Sequence, residues 1–227
     1  MLKVAIAGAT GYTGAELIRL LIRHPKVEIV SVTSEQSAGE PLVSRLPFLK
    51  GLCDLTLEKL IPGQLAQKAD LIFSALSHTH AIDPARQWID AGKKVIDLSA
   101  DYRLQSDGVY EKWYGTAHGQ PDLLKKAVYG LPEIYRHKIA RAGSVPCLIA
   151  NPGCYPTGTL LPLYPFLKSG EIDTQREIII DAKSGVSGAG RAATDKTHFP
   201  EVNEGLVAYN IGIHRHIPEI EQEVTPF

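Results

Sequence analysis

Up to about residue 150 the chain alternates between two hydrophobic rhythms. Residues 3–7 are a short apolar run ending in glycine, as in a buried parallel strand. Over residues 14–24, Leu17, Ile18, Leu20, Leu21 and Ile22 recur at helical spacing, and Pro25 stops that helix. Val27–Thr33 is rich in β-branched residues and predicts a second strand. The alternation continues with a strand at 70–75, a helix at 81–91 closed by Gly92, and a strand at 94–98. Leu148–Ala150 is a further apolar run, leading into Asn151-Pro152-Gly153-Cys154. Repeated strand–helix–strand units predict an α/β, doubly wound parallel sheet of the Rossmann type, because parallel strands need crossovers.

Between residues 99 and 143 the rhythm breaks, and Tyr102, Tyr110, Trp113, Tyr114, Tyr129 and Tyr135 stand among charges. Aromatic residues beside basic ones suit single-stranded nucleic acid, while a packed connecting region is the plainer reading. From Tyr155 a second unit begins. It has a helix at 157–168 that Pro162 and Pro165 should kink or shorten, a strand at 177–182, and a helix at 218–224. The expected organisation is a dinucleotide-binding domain over 1–150 and an incomplete α+β catalytic domain over 151–227.

Charge and cysteine content narrow the function. The 227 residues carry 24 Lys and Arg against 25 Asp and Glu, a net charge of −1. That balance favours neither nucleic acid nor an acidic membrane surface. No apolar stretch approaches the ~20 residues of a membrane span, and glycines follow the first apolar run too soon for a signal peptide. The three cysteines, Cys53, Cys147 and Cys154, contain no CxxC pair. An odd, unpaired set fits a reducing cytoplasm better than a disulfide framework.

Gly8-Ala9-Thr10-Gly11-Tyr12-Thr13-Gly14 lies between the first strand and first helix. Glycines there allow a tight turn and close approach of a pyrophosphate, whose charge meets the unpaired N–H groups of the helix. Gly8, Thr10, Gly11, Tyr12, Thr13 and Gly14 are therefore expected to hold a dinucleotide. At the end of the second strand, Ser34 suits a 2′-phosphate and Glu35 a ribose hydroxyl, so these residues leave NADP and NAD open.

Cys154 follows a strand and a Pro-Gly turn and precedes a helix, a position that favours a thiolate nucleophile. Its proton partner is sought in His214-Arg215-His216, just before Pro218-Glu219. The His-x-His pair has no third ligand at metal spacing, so no metal is expected. A second glycine-rich stretch, 184–191, follows the predicted strand and offers backbone N–H groups, with Ser187 and Gly188 at its centre, to a nicotinamide or phosphate.

Together, GATGYTGAEL at 8–17, NPGCYPT at 151–157, SGVSGAGR at 184–191 and HRHIPEI at 214–220 resemble the N-acetyl-γ-glutamyl-phosphate reductases of arginine biosynthesis, relatives of aspartate-semialdehyde dehydrogenase. DLSADYRL at 97–104 and YGLPE at 129–133 add to the likeness. The resemblance implies an NADP-dependent reduction of a small acyl phosphate to a semialdehyde through a Cys154 thioester. It implies acid–base work by His216 or His214, with Glu219 orienting the histidine, and it makes Arg103 a candidate for the substrate carboxylate or phosphate. It also implies a homo-oligomer, and a longer chain whose extra strands and helix would complete the second domain. A carrier-linked aminoadipyl-phosphate reductase of lysine biosynthesis shares these motifs, and a catalytically inactive NADP-binding fragment is the alternative from another class.

Overall fold

The computed structural model describes residues 1–143 and 146–226. The strands are β1 (Leu2–Ala7), β2 (Val27–Thr33), β3 (Leu57–Glu58), β4 (Leu71–Ser74), β5 (Lys94–Asp97), β6 (Val128–Tyr129) and β7 (Leu148–Ala150). The helices are α1 (Tyr12–Leu21), α2 (Leu42–Arg45), α3 (Pro62–Lys68), α4 (Ile82–Asp90), α5 (Asp107–Tyr114), α6 (Pro121–Lys126), α7 (Pro132–Ala142), α8 (Cys154–Ser169), α9 (Phe199–Val202) and α10 (Ile217–Val224). Among the described residues, the strands form one sheet in the order β3-β2-β1-β4-β5-β7-β6, with every pairing parallel.

β1 explains the two-sided core. Val4, Ala5, Ile6 and Ala7 are all buried, which requires cover on both faces of the sheet. Side chains alternate along a strand, and the core divides accordingly. Val4 and Ile6 join Ile18 of α1 with Val32 and Leu42, whereas Ala5 and Ala7 join Leu65, Ala85, Trp88 and Tyr102. The small alanines leave room for the Trp88 indole, whose N–H donates to the Pro62 carbonyl at 3.1 Å.

Strand order reverses between β1 and β4, and in such sheets the ligand crevice opens beyond the carboxyl ends at that switch point. The register sharpens this. Ala7 pairs with Ser74, Ser74 with Asp97, Asp97 with Ala150 and Ala150 with Tyr129, so one row crosses the sheet. The glycine turn after Ala7 and the Asn151-Pro152-Gly153-Cys154 turn after Ala150 therefore leave the same edge.

The α/β doubly wound fold is as the hydrophobic rhythm predicts, and most element ends agree within a few residues. α1 stops earlier than expected, at Leu21 with Ile22 as its cap, so Pro25 is not its terminator. α8 runs unbroken through Pro162 and Pro165. Each proline frees the carbonyl four residues before it, at Gly158 and Leu161, and both residues are exposed to water. The strand expected at 177–182 is absent: this segment is irregular and exposed, with Ile179 at 89% exposure. Its β-branched residues favour a strand, but among the described residues nothing pairs with its backbone. The irregular region after residue 99 folds into α5, α6, β6 and α7, with Tyr102 and Tyr110 fully buried.

Candidate active site

The glycine turn is held by close packing. A Cβ on Gly8, whose φ is +84°, would lie 2.4 Å from the Ala75 carbonyl oxygen, and one on Gly14 would lie 2.3 Å from the Gly8 oxygen. Gly11 differs, since the nearest atom to a Cβ there is 3.8 Å away and the space before it is open. Gly11 is also the N-cap of α1 and brings no capping side chain, so the first-turn N–H groups lack a side-chain acceptor. The turn is tied to β2 by Ala9 N–H donating to the Thr33 carbonyl at 2.9 Å.

Thr10 Oγ1 lies 3.1 Å from Ser34 Oγ, so the turn and the end of β2 meet side chain to side chain. Ser34 and Ser37 are nearly buried there. Glu35 is exposed, and its carboxylate accepts the Leu60 N–H at 3.0 Å. The hydroxyls at the end of β2 thus line up with the turn, while the carboxylate is occupied elsewhere. Ser187 and Gly188 sit in a short 3₁₀ helix, Val186–Ala189. Close by in sequence, the Arg191 guanidinium lies over the Tyr12 ring at 5.3 Å and ties this segment to the first turn of α1.

Cys154 is exposed and opens α8, whose N-cap is Gly153. That glycine is required by contact, because a Cβ on it would stand 2.4 Å from His216 Nε2 and 3.0 Å from Arg103 Nη1. The His216 ring therefore lies directly on the turn that presents the thiol. Burial, followed by the charges of Arg103, His214 and His78, pushes His216 down to about 4. It is neutral near pH 7, and its Nδ1 is buried without a hydrogen-bond partner among the described residues. His214 Nδ1 accepts the His216 backbone N–H at 3.1 Å, and burial lowers its pKa as well. Tyr155 presents its ring to both histidines in edge contacts, at 5.1 and 5.9 Å.

Glu219 on α10 is 1% exposed. Its carboxylate accepts the Gly153 N–H and the Tyr129 hydroxyl, each at 2.8 Å, and faces Arg103 Nη1 at 3.5 Å. Burial raises its pKa, while Arg103, Gly153 and Tyr129 oppose the rise. Glu219 thus touches the nucleophile's turn, and among the described residues no hydrogen bond joins its carboxylate to the His216 ring. Arg103 is also buried: its Nε donates to the Asn151 carbonyl and its Nη2 to the Leu98 carbonyl, both at 2.8 Å. Most of its fork is spent on holding the Asn151-Pro152-Gly153 turn.

Cys154, His216, His214, Glu219 and Arg103 converge on one edge of the sheet. The glycine turn leaves that same edge, and Arg191, which follows Gly188 by three residues, reaches the first turn of α1. Sequence reasoning assigned no role in the site to Tyr129, His78 or Tyr155. Tyr129 stands in a two-residue edge strand, and its partner Glu219 is 90 positions away, so no local pattern marks it.

Residues 3–142 match the model of the semialdehyde dehydrogenase NAD binding domain. The chain belongs to the semialdehyde dehydrogenase family. Residues 154–227 match that family's dimerisation domain. A relative from Desulforudis audaxviator named N-acetyl-gamma-glutamyl-phosphate reductase is 53% identical over 224 residues, which is 99% of this chain and 63% of the relative. One of the same name from Citrifermentans bemidjiense is 54% identical over 226 residues, covering 99% of this chain and 64% of its own length. The chain thus spans less than two thirds of these relatives. Among solved structures, aspartate semialdehyde dehydrogenase with NADP from Candida albicans aligns with a TM-score of 0.54 at 24% identity, over 74% of this chain and 47% of that one. Aspartate semialdehyde dehydrogenase II complexed with ASA from Vibrio cholerae gives 0.57 at 20%, over 84% and 48%. At these identities the two structures attest to the family's fold alone.

Proposed function

We propose that this chain carries the dinucleotide-binding domain, residues 1–150, and the catalytic turn of an NADPH-dependent N-acetyl-γ-glutamyl-phosphate reductase, with the catalytic domain beginning at 151. The observation that carries the reading is an exposed Cys154 at a helix start with a neutral imidazole, His216, packed on the residue before it. The names of the relatives at 53% and 54% identity supply the substrate.

His216 takes the Cys154 proton as the sulfur attacks the acyl carbon. The C–S bond forms, the C–O bond to phosphate breaks, and the departing phosphate receives that proton. The first-turn N–H groups of α8 bear partial positive charge beside the developing negative charge. NADPH, when held there, would supply a hydride to the thioester carbon. Collapse expels the Cys154 thiolate, which regains a proton from solvent through His216, and the semialdehyde leaves. Gly8, Thr10, Gly11, Tyr12, Thr13 and Gly14 would hold the pyrophosphate, Ser34 would serve the 2′-phosphate, and Ser187 and Gly188 would serve the nicotinamide side. Glu35's engagement with Leu60 supports NADP over NAD. Arg103 holds the catalytic turn through the Asn151 carbonyl and faces Glu219.

The active protein is a cytoplasmic homo-oligomer. Three free cysteines suit a reducing compartment. The exposed apolar side chains of Ile179, Leu206, Val207 and Ile211, within the match to a dimerisation domain, supply an association surface. Among the described residues no helix is long and apolar enough to cross a membrane.

The test is phosphate-dependent reduction of NADP⁺ with N-acetylglutamate semialdehyde, run beside Cys154→Ala. Turnover in the parent and none in the variant supports the reading. Equal turnover in both refutes the role of Cys154.

A further inference from the structure

Resting on that covalent reading, we propose that Arg215 and His78 form a subsite beside Cys154 that binds an oxyanion of the substrate. With Arg103 committed to two backbone carbonyls and Glu219, Arg215 is the neighbouring guanidinium left with its fork open. It is exposed, stands between His214 and His216 in sequence, and is paired with no acidic side chain among the described residues. What positions it is an aromatic platform. Its guanidinium lies 5.5 Å from the centre of the Tyr114 ring. Tyr114 stacks on Tyr110 at 4.7 Å, and Tyr110 is fully buried with its hydroxyl donating to Asp101 at 2.8 Å.

His78 meets the same platform, its ring in edge contact with Tyr114 at 5.7 Å. Its Nδ1 accepts the Ala100 N–H at 3.0 Å, which in the neutral ring leaves the proton on Nε2 as a donor. The charges of Arg103 and Arg215, after burial, hold His78 below its ordinary pKa, and His78 in turn bears on His216. Each carboxylate nearby is already engaged. Asp101 accepts from Thr79 N–H, Ala81 N–H and the Tyr110 hydroxyl, and Glu219 from Gly153 and Tyr129. These carboxylates are thus taken up by donors other than Arg215, and a planar guanidinium fork suits a phosphate or carboxylate from outside.

The experiment compares alkylation of Cys154 by anionic iodoacetate and by neutral iodoacetamide, followed by mass spectrometry of the labelled peptide. Parent, Arg215→Ala and Arg215→Lys are used, with circular dichroism to verify folding. A charge-assisted contact predicts that the iodoacetate-to-iodoacetamide rate ratio falls about tenfold in Arg215→Ala. Arg215→Lys should recover part of it. Inorganic phosphate and N-acetylglutamate are then added as competitors of iodoacetate. Stronger protection by phosphate assigns the subsite to the phosphoryl group, and stronger protection by N-acetylglutamate assigns it to a carboxylate. An unchanged rate ratio in Arg215→Ala, with Cys154 the fastest of the three thiols, overturns the subsite and leaves the covalent reading standing. Iodoacetamide labelling of Cys154 no faster than Cys53 overturns both.

Discussion

Glu219 accepts the backbone N–H of Gly153 at 2.8 Å across 66 positions of sequence, and the same oxygen accepts the Tyr129 hydroxyl. One buried carboxylate thereby joins the helix that follows the histidines, the turn that presents the thiol, and the edge strand of the sheet. Its second oxygen faces Arg103, so the network closes on itself.

Removing that carboxylate should be costly. Glu219→Ala orphans the Gly153 N–H and the Tyr129 hydroxyl and leaves Arg103 buried without its counter-charge, for a loss of about 3–5 kcal/mol. Tyr129→Phe removes one donor and should cost roughly 1–3 kcal/mol. Urea unfolding ranks the two, and a smaller loss for Glu219→Ala than for Tyr129→Phe contradicts the network.

Gly153→Ala tests the contact between turn and histidine. The added Cβ would stand 2.4 Å from His216 Nε2, so the ring has to leave its place on the turn. We expect turnover to fall by about 100-fold or more, as for loss of a positioned general base, with NADPH affinity unchanged. Wild-type kcat in this variant would remove His216 from the chemistry.

Three glycines in one turn should fail in two different ways. Gly14→Ala meets the Gly8 oxygen at 2.3 Å and Gly8→Ala meets the Ala75 oxygen at 2.4 Å, so both should lose stability. Gly11→Ala points into open space. It should keep the parent's Tm yet bind NADPH more weakly, because the methyl group occupies the path of the pyrophosphate. Fluorescence titration and a thermal melt together distinguish these outcomes, and unimpaired binding by Gly11→Ala would move the cofactor elsewhere.

His216 makes stability depend on acid. Its folded pKa of about 4 lies below the ordinary 6.5, so the unfolded chain binds more protons between those values. Stability therefore falls as pH drops below about 6.5, by roughly 3 kcal/mol at most once pH passes 4. Asp97 opposes it: buried and raised to about 6, it binds protons more readily in the fold and weakens the protein as pH rises from about 4 to 6. His216→Asn should remove its share of the loss on acidification and leave the shares of His78, His118 and His214 and the Asp97 contribution. Urea midpoints at pH 7 and pH 5 that shift equally in variant and parent would refute the assignment.

The central sheet was legible because strands buried on both faces, such as β1 and β7, carry contiguous apolar runs that glycine or proline turns cut off. Two-residue strands such as β3 and β6 leave no such trace. The isoleucines at 178–180 carried a strand's composition, but a strand is a pairing, and composition does not supply the partner. The strand–turn–helix settings of Cys154 and of the glycine turn were readable because the local signals agreed. The duties of Arg103 were not, since two of its partners are the backbone carbonyls of Asn151 and Leu98, which no side-chain pattern announces.

The row from Ala7 through Ser74 and Asp97 to Ala150 has a consequence for how this site tolerates change. Hydrogen-bonded register, instead of loop length, gauges the span between the glycine turn and the thiol. Residues can be added to the loops on the opposite edge without altering that span. A single residue inserted within β1 or β7 would move the turn that follows it by about 3.3 Å along its strand and turn its side chains to the other face.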